Sequence, residues 1–234
     1  MAEPVMVFAA GFGTRMGALT ADRPKPLLEV AGRSLLDRAL DRAEAAGCPR
    51  AVVNLHYRGA QIRDHLAGRT APEIAFSEEQ PGILDTGGGL RAALPLLRPG
   101  AGPVLTLNSD AIWTGEDPVA TLRAAWGPQV GALLHLVPRE AAIGYTRPGD
   151  FFLEPDGRLR RRGAAATAPY VFTGAQLLLT GPLAALPAGA FSLNLLWDRL
   201  LDEGRLFGAP GPGGWIDVGT PEGLALAERT LGGA

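Results

Sequence analysis

Apolar residues along this chain alternate between short continuous blocks and stripes of helical period. Residues 5–10 (VMVFAA) form an unbroken apolar run, the pattern of a strand buried on both faces. From 35 to 46 (LLDRALDRAEAA) the apolar positions Leu36, Ala39, Leu40 and Ala43 recur at helical spacing, and Gly47 supplies a stop. Residues 51–55 (AVVNL) predict a second strand, 60–66 (AQIRDHL) a second helix and 74–77 a third strand. A helix is predicted over 88–97, and 104–107 (VLTL) gives a fourth strand that runs straight into Asn108, Ser109 and Asp110. Strands and helices alternating through short loops imply a mainly parallel sheet with helices on both faces, and such sheets bind ligands at the carboxyl ends of their strands.

The second half is less regular. Residues 131–137 and 170–179 read as strands, and a hairpin over 151–159 turns at Pro155, Asp156 and Gly157. Residues 191–203 (FSLNLLWDRLLDE) predict an amphipathic helix stopped by Gly204, and 208–214 a Gly/Pro loop leading into Trp215–Thr220. Thr220 is positioned to cap a last helix over 222–230, with Pro221 in its first turn. With no repeat or linker, the 234 residues are expected to form one domain, with halves over 1–112 and 113–234.

Composition removes several function classes. A net charge of −2 offers no field for nucleic acid, and the one basic run, Arg158 to Arg162 (RLRRR), reads as a solvated hairpin. Cys48 is the only cysteine and His56, His65 and His135 are scattered, which argues against a zinc centre. The amino terminus lacks the form of a signal peptide and no apolar run reaches membrane-spanning length, so a cytoplasmic protein without a membrane partner is expected.

The first strand ends in Ala9-Ala10-Gly11-Phe12-Gly13-Thr14-Arg15-Met16. Gly11 and Gly13 let backbone turn and approach a ligand closely, and successive N–H groups in such a loop form an anion nest. Arg15 adds a planar guanidinium, and Lys25, between Pro24 and Pro26, a point charge on a restricted segment. The loop lacks the Gly-Lys-Ser/Thr of a P-loop and the third glycine of a dinucleotide fingerprint. Asp110, at a strand end on the same rim, suits Mg²⁺, although an Asx turn or a helix N-cap is the better account of an isolated aspartate. Asp217 sits in an apolar frame where an unpaired carboxylate is costly, and a cation shared with Asp110 would neutralise both.

With Pro24-Lys25-Pro26-Leu27-Leu28, this segment resembles the signature of the sugar-1-phosphate nucleotidylyltransferases, and the resemblance extends to Trp215–Thr220. Within that family the chain is most similar to bacterial N-acetylmuramate-1-phosphate uridylyltransferases of cell-wall recycling, through Asp85–Gly89, Asn108–Asp110, Gly149–Phe151, Phe172–Gly174 and Trp215–Thr220. The resemblance implies a Rossmann-like, glycosyltransferase-A-type α/β fold with a mixed, mainly parallel sheet, its nucleotide-binding half over about 1–112 and its sugar-phosphate-binding half over about 113–234. It implies an enzyme that moves a nucleotidyl group, uridylyl from UTP, onto a sugar 1-phosphate, releasing pyrophosphate. Gly11, Gly13, Thr14 and Arg15 would wrap the nucleoside triphosphate, with Arg15 and Lys25 on its phosphates as the catalytic cations. Ala9, Ala10 and Gly11 with Thr86 and Gly87 would hold base and ribose; Gly149, Asp150 and Thr173 would line the sugar-phosphate pocket; Asp110 and Asp217 would hold Mg²⁺.

Ser109 stands where many relatives have glycine, and Val137-Pro138-Arg139 replaces the Glu-Lys-Pro element of glucose- and mannose-type relatives. The sequence ends at Ala234 without the β-helix of acetyltransferase relatives, so acetyl transfer is not expected. Alternatives are GTP with a heptose- or mannose-type phosphate, or a non-catalytic nucleotide binder. A monomer is expected, and Arg147 is a candidate for a substrate carboxylate.

Overall fold

The computed structural model describes residues 2–232. Its first half runs β1 (Val5–Phe8), a short hairpin of β2 (Glu29–Val30) and β3 (Arg33–Ser34), then α1 (Leu35–Ala45) and β4 (Arg50–Leu55). α2 (Gly59–Leu66), β5 (Glu73–Glu78), α3 (Asp85–Leu97) and β6 (Val104–Asn108) complete it. β7 (Ala111–Trp113), α4 (Pro118–Ala125), β8 (Ala132–Pro138) and β9 (Ala142–Ile143) follow, then β10 (Phe151–Leu153), β11 (Leu159–Arg161) and β12 (Tyr170–Leu178). The chain closes with α5 (Asn194–Asp202), β13 (Leu206–Pro210), β14 (Trp215–Asp217) and α6 (Pro221–Gly232).

One nine-stranded mixed sheet passes through both halves. β5, β4, β1 and β6 are parallel neighbours, as the alternating strand and helix patterns predict. β12 then joins β6 antiparallel and carries β8, to which β13 returns parallel. Alternation along β1 divides the core: Val5 and Val7 pack with α1 residues Leu36 and Leu40, while Met6 faces α3 residues Leu90 and Leu97 and α5 residues Leu196 and Leu200. Both faces are covered, which is why the strands read as continuous apolar runs.

Beyond the carboxyl edge of β6 lies a separate three-stranded sheet, β7-β14-β9. β14 pairs antiparallel with β7 so that Asp217 stands opposite Ala111. Ile112, Ile216 and Val218 pack with Met16, Leu28 and Ala227 into a small third core. This packing binds the glycine-loop segment, the strand end after β6 and the last helix into one unit.

Local signals explain most element ends. Ser34 caps α1 by accepting from the Asp37 N–H at 3.0 Å, and the Thr220 hydroxyl accepts from the Gly223 N–H at 3.2 Å at the start of α6. Four expectations need correction. α3 begins at Asp85 rather than 88, because its glycines are buried against neighbouring segments. The first three residues of the 208–214 loop are strand, pairing with Leu134–Leu136 of β8. The helix expected over 191–203 begins at Asn194, since Phe191 is tied to α3 through backbone hydrogen bonds. α4 was not anticipated, although Asp117, whose side chain accepts from the Val119 N–H at 3.2 Å, and Pro118 are a cap and first-turn pair.

His135 lies in the middle of β8, 2 % exposed, with Nδ1 2.9 Å from the Thr173 hydroxyl. Burial lowers its pKa from 6.5 to about 4, so the folded protein holds the ring neutral while the unfolded chain protonates it first. Stability from this group is present above pH 6.5 and is lost as pH falls towards 4. Between about pH 7 and pH 5, wild type is expected to lose about 2 kcal/mol more unfolding free energy than His135→Leu does. Urea titrations at both pH values check this, and equal losses would refute it.

Candidate active site

Two cavities open along the carboxyl ends of the strands and meet at Arg15, Asn108 and Asp110. The first, about 340 Å³, is walled by Ala9, Ala10, Gly11, Gly13, Thr14, Arg15, Lys25, Asp85 and Thr86 among others. Its loop leaves β1 and enters a 3₁₀ segment, Thr14–Thr20, rather than an α-helix. Gly13 has φ 65°, and a side chain there would also press on Lys25 and Thr20. Arg15 is exposed and makes no ion pair among the described residues, so its guanidinium is available to a ligand.

A buried polar chain shapes the floor of this cavity. The Ala9 N–H donates to Asn54 Oδ1 at 2.7 Å, Asn54 Nδ2 to Glu79 Oε1 at 2.7 Å, and the Leu84 N–H to Glu79 Oε2 at 2.7 Å. Glu79 is fully buried and Asn54 is 4 % exposed. Together they tie the ends of β1, β4 and β5 to the entry of α3. Sequence reading passed over both residues. The signal was an asparagine inside the apolar run AVVNL, where an amide needs partners. Ser109, 5 % exposed, adds a hydroxyl that donates to the Phe8 carbonyl at 2.6 Å and so clamps β6 to β1.

Asp110 and Asp217 come together on one rim. The Val218 N–H donates to the Asp110 carbonyl at 3.1 Å, next to the β7–β14 pairing. Lys25, 8 % exposed, donates from Nζ to Asp110 Oδ2 at 2.7 Å. Asp217 Oδ1 accepts from the Gly219 N–H at 3.0 Å, and Arg147 reaches Oδ2 at 3.4 Å. Burial holds the Asp217 carboxyl above its ordinary pKa; the Asp110 charge pushes the same way, against Arg147 and Lys25. A methyl at Gly219 would fall 2.8 Å from Asp217 Oδ1 and 3.3 Å from Arg15 Nη1, so guanidinium and carboxylate flank this glycine. Among the described residues no cluster of three or more His, Cys, Asp and Glu could hold a metal. Two hard carboxylates without a third side-chain ligand fit Mg²⁺, which takes one or two carboxylates and fills its shell with water and phosphate oxygens.

The second cavity, about 300 Å³, is lined by Arg15, Asp110, Asp217 and Arg147, and by Asp150, Arg161, Thr173, Asn194 and Trp197. The Asp150 carboxylate accepts from the Tyr145 hydroxyl at 3.1 Å and the Phe172 N–H at 3.0 Å, fixing β10 against β12. Thr173 is fully buried on His135. Gly149 and Gly87 line neither cavity. Gly149, at φ 90°, packs on the Ala168 carbonyl; the N–H groups of Gly87 and Gly88 both donate to the Phe191 carbonyl, at 2.9 and 3.0 Å. Arg161, part of the run read as a solvated hairpin, belongs to the cavity wall.

A family model described as the MobA-like NTP transferase domain matches residues 5–190. The chain belongs to the MobA-like NTP transferase family. This member is 42 % identical to the N-acetylmuramate alpha-1-phosphate uridylyltransferase of Caulobacter vibrioides over 233 residues, 97 % of this chain and 96 % of the relative. It is 34 % identical to the enzyme of the same name from Neisseria meningitidis, across 97 % of each chain. HddC from Yersinia pseudotuberculosis, solved with GMP-PN, shares the fold with a TM-score of 0.79 at 21 % identity, covering 98 % of this chain and 99 % of that one. A UDP-glucose pyrophosphorylase solved with UDP-glucose gives a TM-score of 0.80 at 15 % identity, covering 100 % and 99 %. The expected nucleotidyltransferase fold is thus the observed one, and this NTP transferase is an enzyme of nucleotidyl transfer.

For this family member, Asn54→Leu would strand the Ala9 N–H and leave the buried Glu79 carboxylate without its amide partner. A destabilisation of about 3 kcal/mol is expected, against about 1 kcal/mol for Ser109→Ala, which removes one hydroxyl. Chemical denaturation of both variants measures the difference, and an Asn54→Leu loss no larger than that of Ser109→Ala would contradict it.

Proposed function

We propose that this chain transfers uridylyl from UTP to N-acetylmuramate α-1-phosphate, giving the UDP-sugar and pyrophosphate in cell-wall recycling in the cytoplasm. The observation that carries the reading is the convergence of Lys25, Arg15, Asp110 and Asp217 where the two cavities meet. Two near-full-length relatives named for this reaction support the choice of nucleotide and sugar. One chain supplies both cavities and both aspartates, so a monomer suffices.

The triphosphate lies in the first cavity, its tail on the loop from Gly11 to Arg15 and on Lys25. Its base and ribose rest against Ala9, Ala10 and Thr86, with Gly87 holding the wall behind them. The sugar phosphate enters the second cavity, where Asp150 and Thr173 support its floor and Gly149 shapes the turn beneath. An oxygen of the sugar phosphate attacks the α-phosphorus in line. A new P–O bond forms as the bond to the β-phosphate oxygen breaks, and pyrophosphate leaves with the electron pair. The nucleophile is already anionic, so no side chain need remove a proton and no covalent enzyme intermediate is needed.

The main obstacle is electrostatic. Two unit charges about 4 Å apart repel by roughly 4 kcal/mol at an effective dielectric near 20. Arg15 and Lys25 offset that repulsion from fixed positions, the kind of preorganised stabilisation worth most in a partly desolvated site. Asp110 and Asp217 would hold Mg²⁺, which when bound neutralises phosphate charge between the reactants.

No helix among the described residues is long and apolar enough to cross a membrane. Pyrophosphate release across four nucleoside triphosphates and several sugar 1-phosphates tests the reading. UTP with N-acetylmuramate α-1-phosphate is expected to be the fastest pair, and a faster pair elsewhere would overturn it. Lys25→Ala and Asp110→Asn should each lower turnover by about a hundredfold or more while melting within a few degrees of wild type. Chelation with EDTA should abolish turnover and added Mg²⁺ restore it; activity that survives chelation would remove the metal from the proposal.

A further inference from the structure

Three arginines line the second cavity, and they do different things. Arg15 also lines the first cavity and flanks Asp217 across Gly219. Arg147 lies over the Tyr145 ring and reaches Asp217 Oδ2 at 3.4 Å, with 59 % of its side chain exposed. Both stand at the end where phosphates and a cation would meet.

Arg161 stands apart. It ends β11, and its hydrogen bonds run to α5: Nε donates to Asp198 Oδ1 at 2.7 Å and Nη2 to Asn194 Oδ1 at 3.0 Å and the Asn194 carbonyl at 3.4 Å. Its guanidinium carbon sits 5.7 Å from the centre of the Phe151 ring and 5.8 Å from that of Trp197. Two aromatic walls and two side-chain partners therefore fix its plane and one of its edges. Among the described residues Nη1 has no hydrogen-bond partner in the chain, and 34 % of the side chain remains exposed in a residue that lines the cavity.

A guanidinium anchored by Nε and Nη2 with Nη1 free is prepared to take one more acceptor. Asp198 offsets the charge without occupying Nη1. The Asp150 carboxylate in the same cavity already accepts from Tyr145 and Phe172.

We propose that Arg161 receives a second anionic group of the sugar phosphate, a carboxylate, and thereby sets which sugar the second cavity accepts. The inference rests on the uridylyl-transfer reading and deepens it. A ligand with two separated anionic groups matches a cavity with cations in two separate places. The lactyl ether of N-acetylmuramate carries such a carboxylate; a neutral sugar phosphate would leave the Nη1 edge to water. Arg147, expected from the sequence to take this carboxylate, stands at the other end of the cavity, reaching Asp217 Oδ2 at 3.4 Å.

The test compares N-acetylmuramate α-1-phosphate with its carboxamide and with N-acetylglucosamine 1-phosphate, using UTP, the full chain and pyrophosphate release. Wild type is expected to prefer the carboxylate, and Arg161→Gln to shrink that preference by about ten- to a hundredfold, mainly through KM. Arg161→Lys, which keeps a point charge without the fork, should fall between them. Carboxamide substitution and Arg161→Gln should be non-additive, since each removes the same contact. A preference unchanged within about twofold in Arg161→Gln overturns the inference, whatever happens to the separate constants. Should Arg161→Gln fail to fold, an unchanged preference in Arg161→Lys, with carboxamide substitution still fully additive, overturns it in the same way. Wild type that turns over neither muramate substrate would sink the uridylyl-transfer reading and this inference with it. Turnover with an unchanged preference sinks this inference alone.

Discussion

Two carboxylates on one rim repel each other, and the ion pair between Lys25 and Asp110 makes their closeness tolerable. At 2.7 Å the ammonium is in direct contact with Asp110, and its positive charge also opposes the rise in the Asp217 pKa. Lys25 is held there by a restricted backbone and by burial. Pro24 and Pro26 restrict the backbone on either side, and the short 3₁₀ turn over Lys25–Leu27 buries Pro26 and Leu27 with it. An ammonium on a loose loop would wander into solvent and leave the aspartates unmatched. Here the charge arrangement is built into the packing.

The rest of the architecture serves this meeting point. The parallel strands bring the glycine loop and Asn108–Asp110 to one edge, as an open α/β sheet does. The small sheet β7-β14-β9 then returns the carboxyl-terminal strand beside the end of β6, which places Asp217 next to Asp110 despite their distance along the chain. Arg15 borders both cavities, so a triphosphate and a sugar phosphate would meet over the same guanidinium. Burial keeps the Asp217 carboxyl above its usual pKa, a strain that a bound cation would relieve.

Much of this was legible in the chain. Continuous apolar runs and 3.6-residue stripes located the parallel strands and the helices that flank them, because those elements are buried on fixed faces. The glycine loop, Lys25, Asp110 and Asp217 could be named from residue type and from a resemblance carried by their motifs. What sequence could not give was set by long-range partners. The roles of Asn54 and Glu79 depend on a bond that crosses between strands. Gly87 was expected to help hold base and ribose, yet its close neighbour is Phe191, from the other half of the chain. Arg161 lay in a basic run that looked solvated; stacking on Phe151 and Trp197 is visible only when β11 is folded against α5.

The strap from Gly189 to Asn194 has one further consequence. The Phe191 carbonyl accepts from Gly87 and Gly88, the Leu193 N–H donates to the Thr86 hydroxyl at 2.9 Å, and the next residue, Asn194, steadies Arg161. Any chimera between relatives that is spliced near residue 112 would inherit the Asp85–Gly89 turn from one parent and its strap from the other. The halves of this molecule are therefore not interchangeable parts: recombination, natural or engineered, has to carry those two short segments together.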